Sequence, residues 1–545
     1  SRAAGQPGSR AAGQPGSRAA GQPGSRAAGQ PDSRRWATID GARLVLGVVR
    51  TVTSASRLLE SLEVFRGDFR VQVVFAVDGG SAFVDGVHAV LLARGAKIVP
   101  WAQVAALRPA LVVTATENAD LDAVSGPIVV LPHGVGFHKY VPDALSDGER
   151  ISGVVPRQRV AGLTMVVSHP DQRDQLRRMV PGVATEVVGD PVLERMVTSD
   201  RMAGDYRQAL GVEPGQRLVL LSSTWGPGSL WGAGRHLPRQ VTGALPYDEY
   251  RVALVLHPNV WFGHSPWQVR AWLAEALDAG LALIPPSEGW QAAVTAADTV
   301  IGDHGSVTLY AAALGKPVLL AAFGDEVVAG TTMADLGAAA VRLDPDRDLL
   351  GQITQARPVQ EVALRAFAAT DGSTRRLQEL LYGLLDLQVP QRPAGVRVWP
   401  CPPPEHRAAT SFAVYTDISV PGMVTVRRYA PDHRDEETSM RLRHRASFTD
   451  ELDEDAVASA SVVVARHGGQ AAMLLRRHPG ALCVVADGDV SFRDGTSVHV
   501  ASSGDADPMC AAAVVYALWR TSQPLTGEVI LQVGADRVTL TLAAA

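Results

Sequence analysis

The sequence predicts an α/β protein with two tandem lobes, each built on a parallel sheet covered by helices. Short apolar runs rich in Val, Leu and Ile recur from Arg43 onward, and most are continuous rather than alternating. Continuous runs indicate strands that are buried on both faces, as in parallel sheets. The alternation of these strands with helical stretches restarts near Arg217, which predicts two Rossmann-like lobes.

The first lobe is predicted over residues 37–195. Its strands are the runs RLVLGVVR (43–50), VQVVFAV (71–77), KIVP (97–100), ALVVTAT (110–116), PIVVL (127–131) and LTMVVS (163–168). The stretches between them that are typical of helices are SASRLLESLEVF (54–65) and AFVDGVHAVLLARG (82–95).

The second lobe is predicted over residues 196–390. Its strands are RLVLLSS (217–223), RVALVLHP (251–258), LALIP (281–285), TVIGD (299–303), PVLLAAFG (317–324) and AAVRL (339–343). Helices are expected over 268–280, 290–298, 307–315 and 361–387, the last broken near Asp371 and Gly372. Two such lobes create a cleft at the carboxyl ends of both sheets, where open α/β folds bind ligands.

Three further segments flank the lobes. A tandem octapeptide, SRAAGQPG, fills residues 1–32, and its Gly, Pro and polar content predicts a disordered segment over 1–36. The Pro-rich stretch 391–408 is typical of a linker. Residues 409–545 are expected to form an α+β accessory domain without a recognisable motif, with one helix over 507–522.

Composition excludes several classes of function. The net charge is −5, from 51 basic and 56 acidic residues, so nucleic acid is not the expected partner. The three cysteines have neither metal-ligand nor disulfide spacing, which favours a reducing cytosol. No apolar run reaches the roughly 18 residues that span a bilayer, and we identify no signal peptide. We therefore expect a cytoplasmic protein, or one peripheral to a membrane, that can form a homo-oligomer.

The first candidate motif is VVLPHGVGFHKY (129–140). An apolar strand ends in a Pro-His-Gly turn, which would place His133 at the carboxyl end of a strand and therefore at the cleft. A histidine there can act as a general base, since its unperturbed pKa lies near 6.5. A buried histidine that caps the strand is an equally good interpretation of the position alone.

The second candidate is LVLHPNVWFGHSPW (254–267). His257 and Pro258 end another apolar strand, and proline cannot continue the sheet. His257 can donate a hydrogen bond to a phosphate in the cleft, but a purely structural turn also explains the pair.

The third candidate, TVIGDHGSVTLYAAALGKPVLL (299–320), is the most specific. A strand is followed by a polar turn and a helix, so free backbone N–H groups and the Ser306 hydroxyl would meet at a helix N-terminus. Such an end carries roughly half a positive charge and binds phosphate, and Gly305 would let the backbone approach a ligand closely. An ordinary loop in which Asp303 or Ser306 caps the helix is the alternative.

The fourth candidate is the loop in LVLLSSTWGPGSLWG (218–232). Ser222, Ser223 and Thr224 can reach a phosphate, and Trp225 can line the cleft, although a plain surface loop has the same composition. We find no P-loop, HExxH, paired CxxC or GxSxG motif.

Taken in order, these segments resemble the GT-B glycosyltransferase superfamily, and within it the CDP-glycerol glycerophosphotransferase family of teichoic-acid-type polymerases. That family has a His-Gly turn followed by a lysine, similar to His133, Gly134 and Lys139 here. Its PTW loop is similar to LLSSTW (220–225), and its HP turn is similar to His257 with Pro258.

Two further blocks extend the resemblance. The family's D-Y-S-S-V turn, helix and GKP are similar to residues 303–307 and 315–317. Its G-x-P-R-x-D linker resembles GDPVLERM (189–196). The blocks cover about 130–320 in the family's order.

The resemblance implies a transferase that uses a nucleotide-activated sugar or CDP-glycerol as donor and a hydroxyl group as acceptor, with His133 as the base. It also implies a set of donor-binding residues, namely His257, Asp303, His304, Gly305, Ser306 and Thr224. No metal and no separate cofactor are implied, because GT-B enzymes generally use the helix dipole and side-chain donors against the leaving phosphate.

The sequence departs from the family pattern at three points. Tyr310 stands where the family helix carries a carboxylate, Gly305 replaces the first serine of the turn, and Gly226 replaces a basic residue after the tryptophan. Two alternatives therefore stay open. The chain can be a catalytically inactive GT-B-shaped binding or assembly protein, or, by analogy of plan, a UDP-sugar 2-epimerase-like enzyme.

Overall fold

The computed structural model describes residues 39, 41–80, 84–143, 148–155, 162–368, 371–433 and 442–545. The chain divides into a unit Ser1–Ala42 and a unit Arg43–Ala545, and everything below concerns the second unit. The predicted disordered repeat lies outside the described residues.

The first lobe is built on a six-stranded, all-parallel sheet and a small hairpin. Its strands are β1 (Arg43–Val49), β2 (Val71–Val77), β3 (Leu111–Thr114), β4 (Ile128–Val130), the hairpin β5 (Tyr140–Pro142) and β6 (Glu149–Ile151), β7 (Leu163–Val167) and β8 (Ala184–Val187). The sheet order is β2-β1-β3-β4-β7-β8. Its helices are α1 (Val52–Ser61), α2 (Asp85–Ala93), α3 (Val104–Leu107) and α4 (Pro170–Met179).

The second lobe repeats this architecture. Its strands are β9 (Arg217–Ser223), β10 (Tyr250–Leu256), β11 (Ala282–Ile284), β12 (Thr299–Gly302), β13 (Val318–Leu320) and β14 (Val341–Arg342), all parallel in the order β11-β10-β9-β12-β13-β14. The strand order reverses between β1 and β3 in the first lobe and between β9 and β12 in the second, and ligands bind at such switch points.

Helices surround the second sheet and return to the first lobe. They are α5 (Pro191–Ser199), α6 (Ala203–Ala209), α7 (Leu230–Ala233), α8 (Leu237–Ala244), α9 (Pro258–His264), α10 (Pro266–Trp272), α11 (Ala274–Asp278), α12 (Trp290–Ala296), α13 (Ser306–Ala313), α14 (Thr332–Ala339), α15 (Leu349–Gln355), α16 (Gln360–Leu364) and α17 (Ser373–Leu384). The predicted closing helix is split into α16 and α17, and α17 begins after Gly372 at φ +71°. Leu377, Leu381 and Tyr382 of α17 pack into the core of the first lobe.

The strands formed by the continuous apolar runs are buried on both faces of their sheet, as the sequence predicts. In β9, Leu218 and Leu220 face one hydrophobic core of the second lobe, whereas Val219 and Leu221 face the core on the other side of the sheet. A strand covered on both faces needs apolar residues at every position. The structure thus confirms the two Rossmann-like lobes, although KIVP is a single bridge from Ile98 to Phe75 rather than a strand.

The accessory domain is a closed nine-stranded barrel, which is more specific than the α+β prediction. Its strands are β15 (Ser411–Asp417), β16 (Met423–Tyr429), β17 (Leu442–Phe448), β18 (Val462–Val464), β19 (Cys483–Ala486), β20 (Asp489–Phe492), β21 (Ser497–Ser502), β22 (Gly527–Val533) and β23 (Asp536–Ala544). Its helices are α18 (Glu454–Ala458), α19 (Ala471–Arg477) and α20 (Pro508–Arg520). Ten of the thirteen residues of α20 are buried, so this helix forms part of the core of the barrel.

The barrel is fixed to the second lobe at the end of the sheet opposite to the cleft. The guanidinium of Arg428 in β16 pairs with Asp248 at 2.5 Å and with Asp507 at 2.9 Å. Asp248 lies just before β10 begins, whereas the cleft is at the ends of these strands. None of the barrel residues that the structure describes lines the cleft.

The predicted linker is held against the second lobe. Trp399 is buried in its core, and the backbone of Glu405 exchanges two hydrogen bonds of 2.8 Å with Leu283. Within the described residues, no helix has both the length and the apolar character needed to cross a membrane.

Candidate functional site

A cavity of about 530 Å³ lies between the two lobes. It is lined by the residues that follow β1, β3 and β4 in the first lobe and β9, β10, β11 and β12 in the second. The carboxyl ends of both sheets therefore face the same space, as the sequence predicts. The predicted residues that line it are His133, Thr224, His257, His304, Gly305 and Ser306.

The turn between β12 and α13, residues 302–306, is called the elbow here. Gly305 is the residue before the first turn of α13, with extended backbone angles. Asp303 lies under the elbow and is fully buried. Its carboxylate accepts hydrogen bonds from the backbone N–H groups of Thr224 at 2.9 Å, Leu230 at 2.8 Å and Gly305 at 2.9 Å.

This arrangement changes the role expected for Asp303. Burial raises the pKa of Asp303, while the three backbone donors act in the opposite direction. Because its oxygens are occupied and have no exposed surface, the side chain joins the β9 loop to the elbow from below. Asp303 is not among the residues that line the cavity, whereas the resemblance implies that it binds the donor.

His304 has the same kind of buried position. The backbone N–H of Gly324 donates to its Nδ1 at 3.0 Å, and its Nε2 lies 2.8 Å from Glu326 Oε1. Burial lowers the pKa of His304. Because its Nδ1 accepts a hydrogen bond, the proton of the neutral ring lies on Nε2, which donates to Glu326. Both ring nitrogens of His304 are therefore engaged within the second lobe, and its role in binding a donor stays a prediction.

The elbow touches the first lobe directly. The backbone N–H of Val135 donates to Ser306 Oγ at 3.2 Å. A Cβ atom placed on Gly134 would lie 2.7 Å from the same oxygen. The turn that carries His133 and the elbow that carries Ser306 are therefore in contact across the cleft, and any larger residue at position 134 would force the Ser306 side chain to shift.

His133 lies beside a carboxylate that the sequence analysis missed. His133 Nδ1 is 3.8 Å from Glu117 Oε2, and the Nε2 atom is 3.5 Å from Ser152 Oγ. One third of the His133 side chain is exposed, against 2% for Glu117. Glu117 Oε1 also accepts from Arg150 at 2.5 Å and from the backbone N–H of Gly153 at 3.0 Å.

The environment keeps Glu117 ionised. Burial alone would raise the pKa of Glu117, but His133 and Arg150 outweigh it and lower the pKa. A buried carboxylate next to a partly exposed imidazole can hold the ring in one orientation. Glu117 directly follows the apolar run of β3, and His133 follows β4. Because β3 and β4 are neighbours in the sheet, this position in the sequence could have identified Glu117 as a neighbour of His133.

His257 presents a hydrogen-bond donor to the cleft. Its Nδ1 accepts from the backbone N–H of Asn259 at 3.1 Å, so the proton of the neutral ring is on Nε2. Burial, with smaller contributions from Lys139 and His133, lowers the pKa of His257 to about 3. The ring is thus neutral near pH 7 and can donate from Nε2 to a phosphate oxygen.

Lys139 connects the lobes at the mouth of the cleft. Its Nζ donates to the Trp225 carbonyl at 3.2 Å, lies 4.9 Å from the centre of the Trp225 ring and is 3.6 Å from Glu326. Burial lowers the pKa of Lys139. The adjacent backbone adds two hydrogen bonds between the lobes. The Tyr140 N–H donates to the Glu326 carbonyl, and the Val328 N–H donates to the His138 carbonyl.

The floor of the cleft is closed by a second interlobe cluster. Tyr310, one turn along α13 from Ser306, donates to Asp190 Oδ2 at 2.7 Å. Arg57 lies 3.5 Å from the same oxygen and donates through Nε to the Pro132 carbonyl at 3.0 Å. Tyr310 thus reaches a carboxylate contributed by another segment.

Within the described part of the chain, no group of three His, Cys, Asp or Glu side chains is placed to hold a metal.

No family model matches the sequence, and no curated protein sequence matches it. Similar solved structures include S. aureus MnaA with UDP, at 12% identity over 64% of this chain and 98% of that chain, with a TM-score of 0.43. The wall teichoic acid polymerase TagF is 11% identical over 64% and 90%, with a TM-score of 0.43. Neisseria meningitidis UDP-GlcNAc 2-epimerase bound to UDP-GlcNAc is 15% identical over 63% and 100%, with a TM-score of 0.41. Likeness at this level carries no argument about a reaction.

Proposed function

We propose that the cleft binds a nucleotide-activated donor and transfers its glycosyl or glycerophosphoryl group to a hydroxyl acceptor. The observation that carries this proposal is the contact between the elbow and the turn of His133, through Val135 N–H and Ser306 Oγ at 3.2 Å. It brings a site suited to anions and a site suited to proton transfer into one cavity.

The donor phosphates are assigned to the second lobe. The N-terminus of α13 carries partial positive charge from its unpaired N–H groups. Ser306 Oγ, the N–H groups at the start of α13, Thr224 and the Nε2 proton of His257 surround this end of the cavity. All are neutral donors, which stabilise charge as it develops on the leaving phosphate without titrating near pH 7.

His133 is assigned as the base. With its Nδ1 proton directed to Glu117, the Nε2 lone pair accepts the proton of the acceptor hydroxyl. The hydroxyl oxygen bonds to the reacting carbon or phosphorus of the donor. The bond from that atom to the nucleotide phosphate breaks, and its electron pair remains on the phosphate oxygens.

A second candidate is a binding protein without turnover. It is favoured by Tyr310, whose hydroxyl is committed to Asp190 at 2.7 Å, so α13 offers no free carboxylate to a ligand. In that case the cleft would retain a nucleotide but would not transfer a group. The 2-epimerase-like alternative would need the same nucleotide site, without a hydroxyl acceptor.

Thermal-shift screening of the full chain against CMP, CDP, UDP and UDP-sugars tests the donor site. We expect one nucleotide to raise the melting temperature, and Ser306→Ala to abolish most of that increase. Absence of any shift with these ligands would contradict the donor assignment. If a donor is found, His133→Ala should retain its binding and lose product formation, whereas a binding protein would form no product in either variant.

A further inference from the structure

A second cavity, of about 990 Å³, lies at the other end of α1 from the elbow. It is called the strap groove, because residues 390–397 form one of its walls. Residues 60–70 of the first lobe form the opposite wall, and α5 and α17 contribute the floor. We propose that the strap groove is a binding site for a ligand that carries several phosphate groups. This inference is independent of the function proposed for the cleft.

The groove contains an excess of arginine. Five arginines line it, namely Arg66, Arg70, Arg195, Arg392 and Arg397, against three acidic residues, Glu60, Glu63 and Asp68. The chain as a whole has a net charge of −5. A local excess of cations on an acidic protein marks a surface that attracts anions.

Two of the acidic residues are already neutralised by arginines of the groove. Arg70 pairs with Asp68 at 2.6 Å, and Arg195 Nη1 lies 3.9 Å from Glu63. Arg195 is further fixed by stacking on Trp399, at 3.5 Å from the ring centre, and by donating to the Arg397 carbonyl at 2.9 Å. These pairs build the walls and leave little negative charge at the mouth.

Three exposed guanidinium groups remain available. Among the described residues, no carboxylate or hydrogen-bond acceptor is paired with the side chains of Arg66, Arg392 or Arg397. Arg66 belongs to one wall of the groove, and the other two belong to the strap opposite. Arginines contributed by both of these segments suit a ligand with more than one oxyanion, because a guanidinium group can bind phosphate oxygens in a bidentate fashion.

The strap itself is held in place, which preorganises this site. The buried Gln378 donates to the Val64 carbonyl at 3.0 Å and accepts from the backbone N–H of Ala394 at 3.1 Å. One side chain thus joins the two walls. Glu60 lines both this groove and the cleft, so the two cavities are separated by about one side chain.

Calorimetric titration of the full chain with inorganic tripolyphosphate at low salt tests the proposal. We expect binding that the triple variant Arg66→Gln, Arg392→Gln, Arg397→Gln weakens at least tenfold. The control variant Arg347→Gln, Arg365→Gln, Arg407→Gln removes the same charge from other exposed arginines, with 81%, 62% and 68% of their side chains exposed. It should bind as the wild type does.

Three results would overturn the proposal. They are unchanged affinity in the groove variant, equal loss in both triple variants, and complete loss in Ser306→Ala alone, which would place the ligand in the cleft. Melting temperatures of all variants establish that they fold. Parallel titrations with ATP and with inorganic phosphate distinguish a nucleotide or a single phosphate from a polyphosphate chain, and tighter binding of tripolyphosphate than of phosphate is expected.

Discussion

Glu117 Oε2 lies 3.8 Å from His133 Nδ1, which pairs a nearly buried carboxylate with an accessible imidazole. Glu117→Gln keeps the size of the side chain and removes its charge. We expect turnover to fall by about 100-fold or more, because the imidazolium formed during proton transfer loses its counter-ion. Nucleotide binding should change little, since the hydrogen bonds of Glu117 Oε1 go to Arg150 and to the backbone of Gly153, not to the elbow.

The matched control is Glu149→Gln, which removes an exposed carboxylate from the same hairpin as Arg150. It should leave turnover near the wild-type value. Single-turnover assays at saturating donor measure both variants. Equal turnover in Glu117→Gln and wild type would show that the carboxylate only anchors Arg150.

Gly134 permits the contact between the two lobes. A Cβ atom at this position would lie 2.7 Å from Ser306 Oγ, which is closer than packed atoms allow. We expect Gly134→Ala to fold but to bind the nucleotide about tenfold more weakly, equivalent to about 1.4 kcal/mol. Gly79→Ala is the control, because a Cβ atom there has no neighbour within 4 Å. Equal nucleotide affinity in the two variants would contradict the importance of this contact.

The strands that could be predicted are those buried on both faces. Strands β1, β9 and β10 lie within one or two residues of the predicted runs, because their central positions form continuous apolar and buried stretches. Strand β8 was missed because it alternates between exposed and half-buried residues at a sheet edge. Strand β17, LRHRASF, was missed because its outward positions carry Arg443 and Arg445.

The same distinction applies to the site. His133, His257 and Ser306 could be placed at the cleft because each follows a strand whose apolar run is visible in the sequence. Glu326 could not, since its role depends on His304 at 2.8 Å and on Lys139 of the other lobe at 3.6 Å. The first contact joins residues 22 positions apart and the second joins the two lobes, so local sequence patterns carry no information about either.

Arg428 is predicted to determine whether the barrel stays attached. The Arg428 side chain is only 7% exposed, and its guanidinium forms ion pairs with both Asp248 and Asp507. Arg428→Ala leaves both carboxylates without their cation, which should lower the free energy of unfolding by about 3–5 kcal/mol. Arg427→Ala, its neighbour, removes a half-exposed pair with Glu249 and should cost about 1 kcal/mol or less. Urea unfolding followed by fluorescence measures both, and similar small losses would contradict the buried bridge.

Glu60 should make stability depend on pH in the direction opposite to that of most carboxylates. Burial raises the pKa of Glu60 from 4.5 to about 7, against the opposing effects of Arg57, Arg195 and the hydrogen bond from Gln291. The folded chain therefore keeps a proton that the unfolded chain has released in this range. The resulting contribution to the free energy of unfolding is fully present below pH 4.5. It is lost as the pH rises to about 7, by on the order of 3 kcal/mol.

Glu60→Gln isolates this effect, because the amide stays neutral at every pH and keeps an oxygen for Gln291. The difference in unfolding free energy between Glu60→Gln and wild type should grow from pH 5 to pH 8, with the variant becoming relatively more stable. If the unfolding free energies of Glu60→Gln and wild type instead differ by a constant amount from pH 5 to pH 8, Glu60 is ionised in the folded chain. Water would then reach the boundary between the cleft and the strap groove.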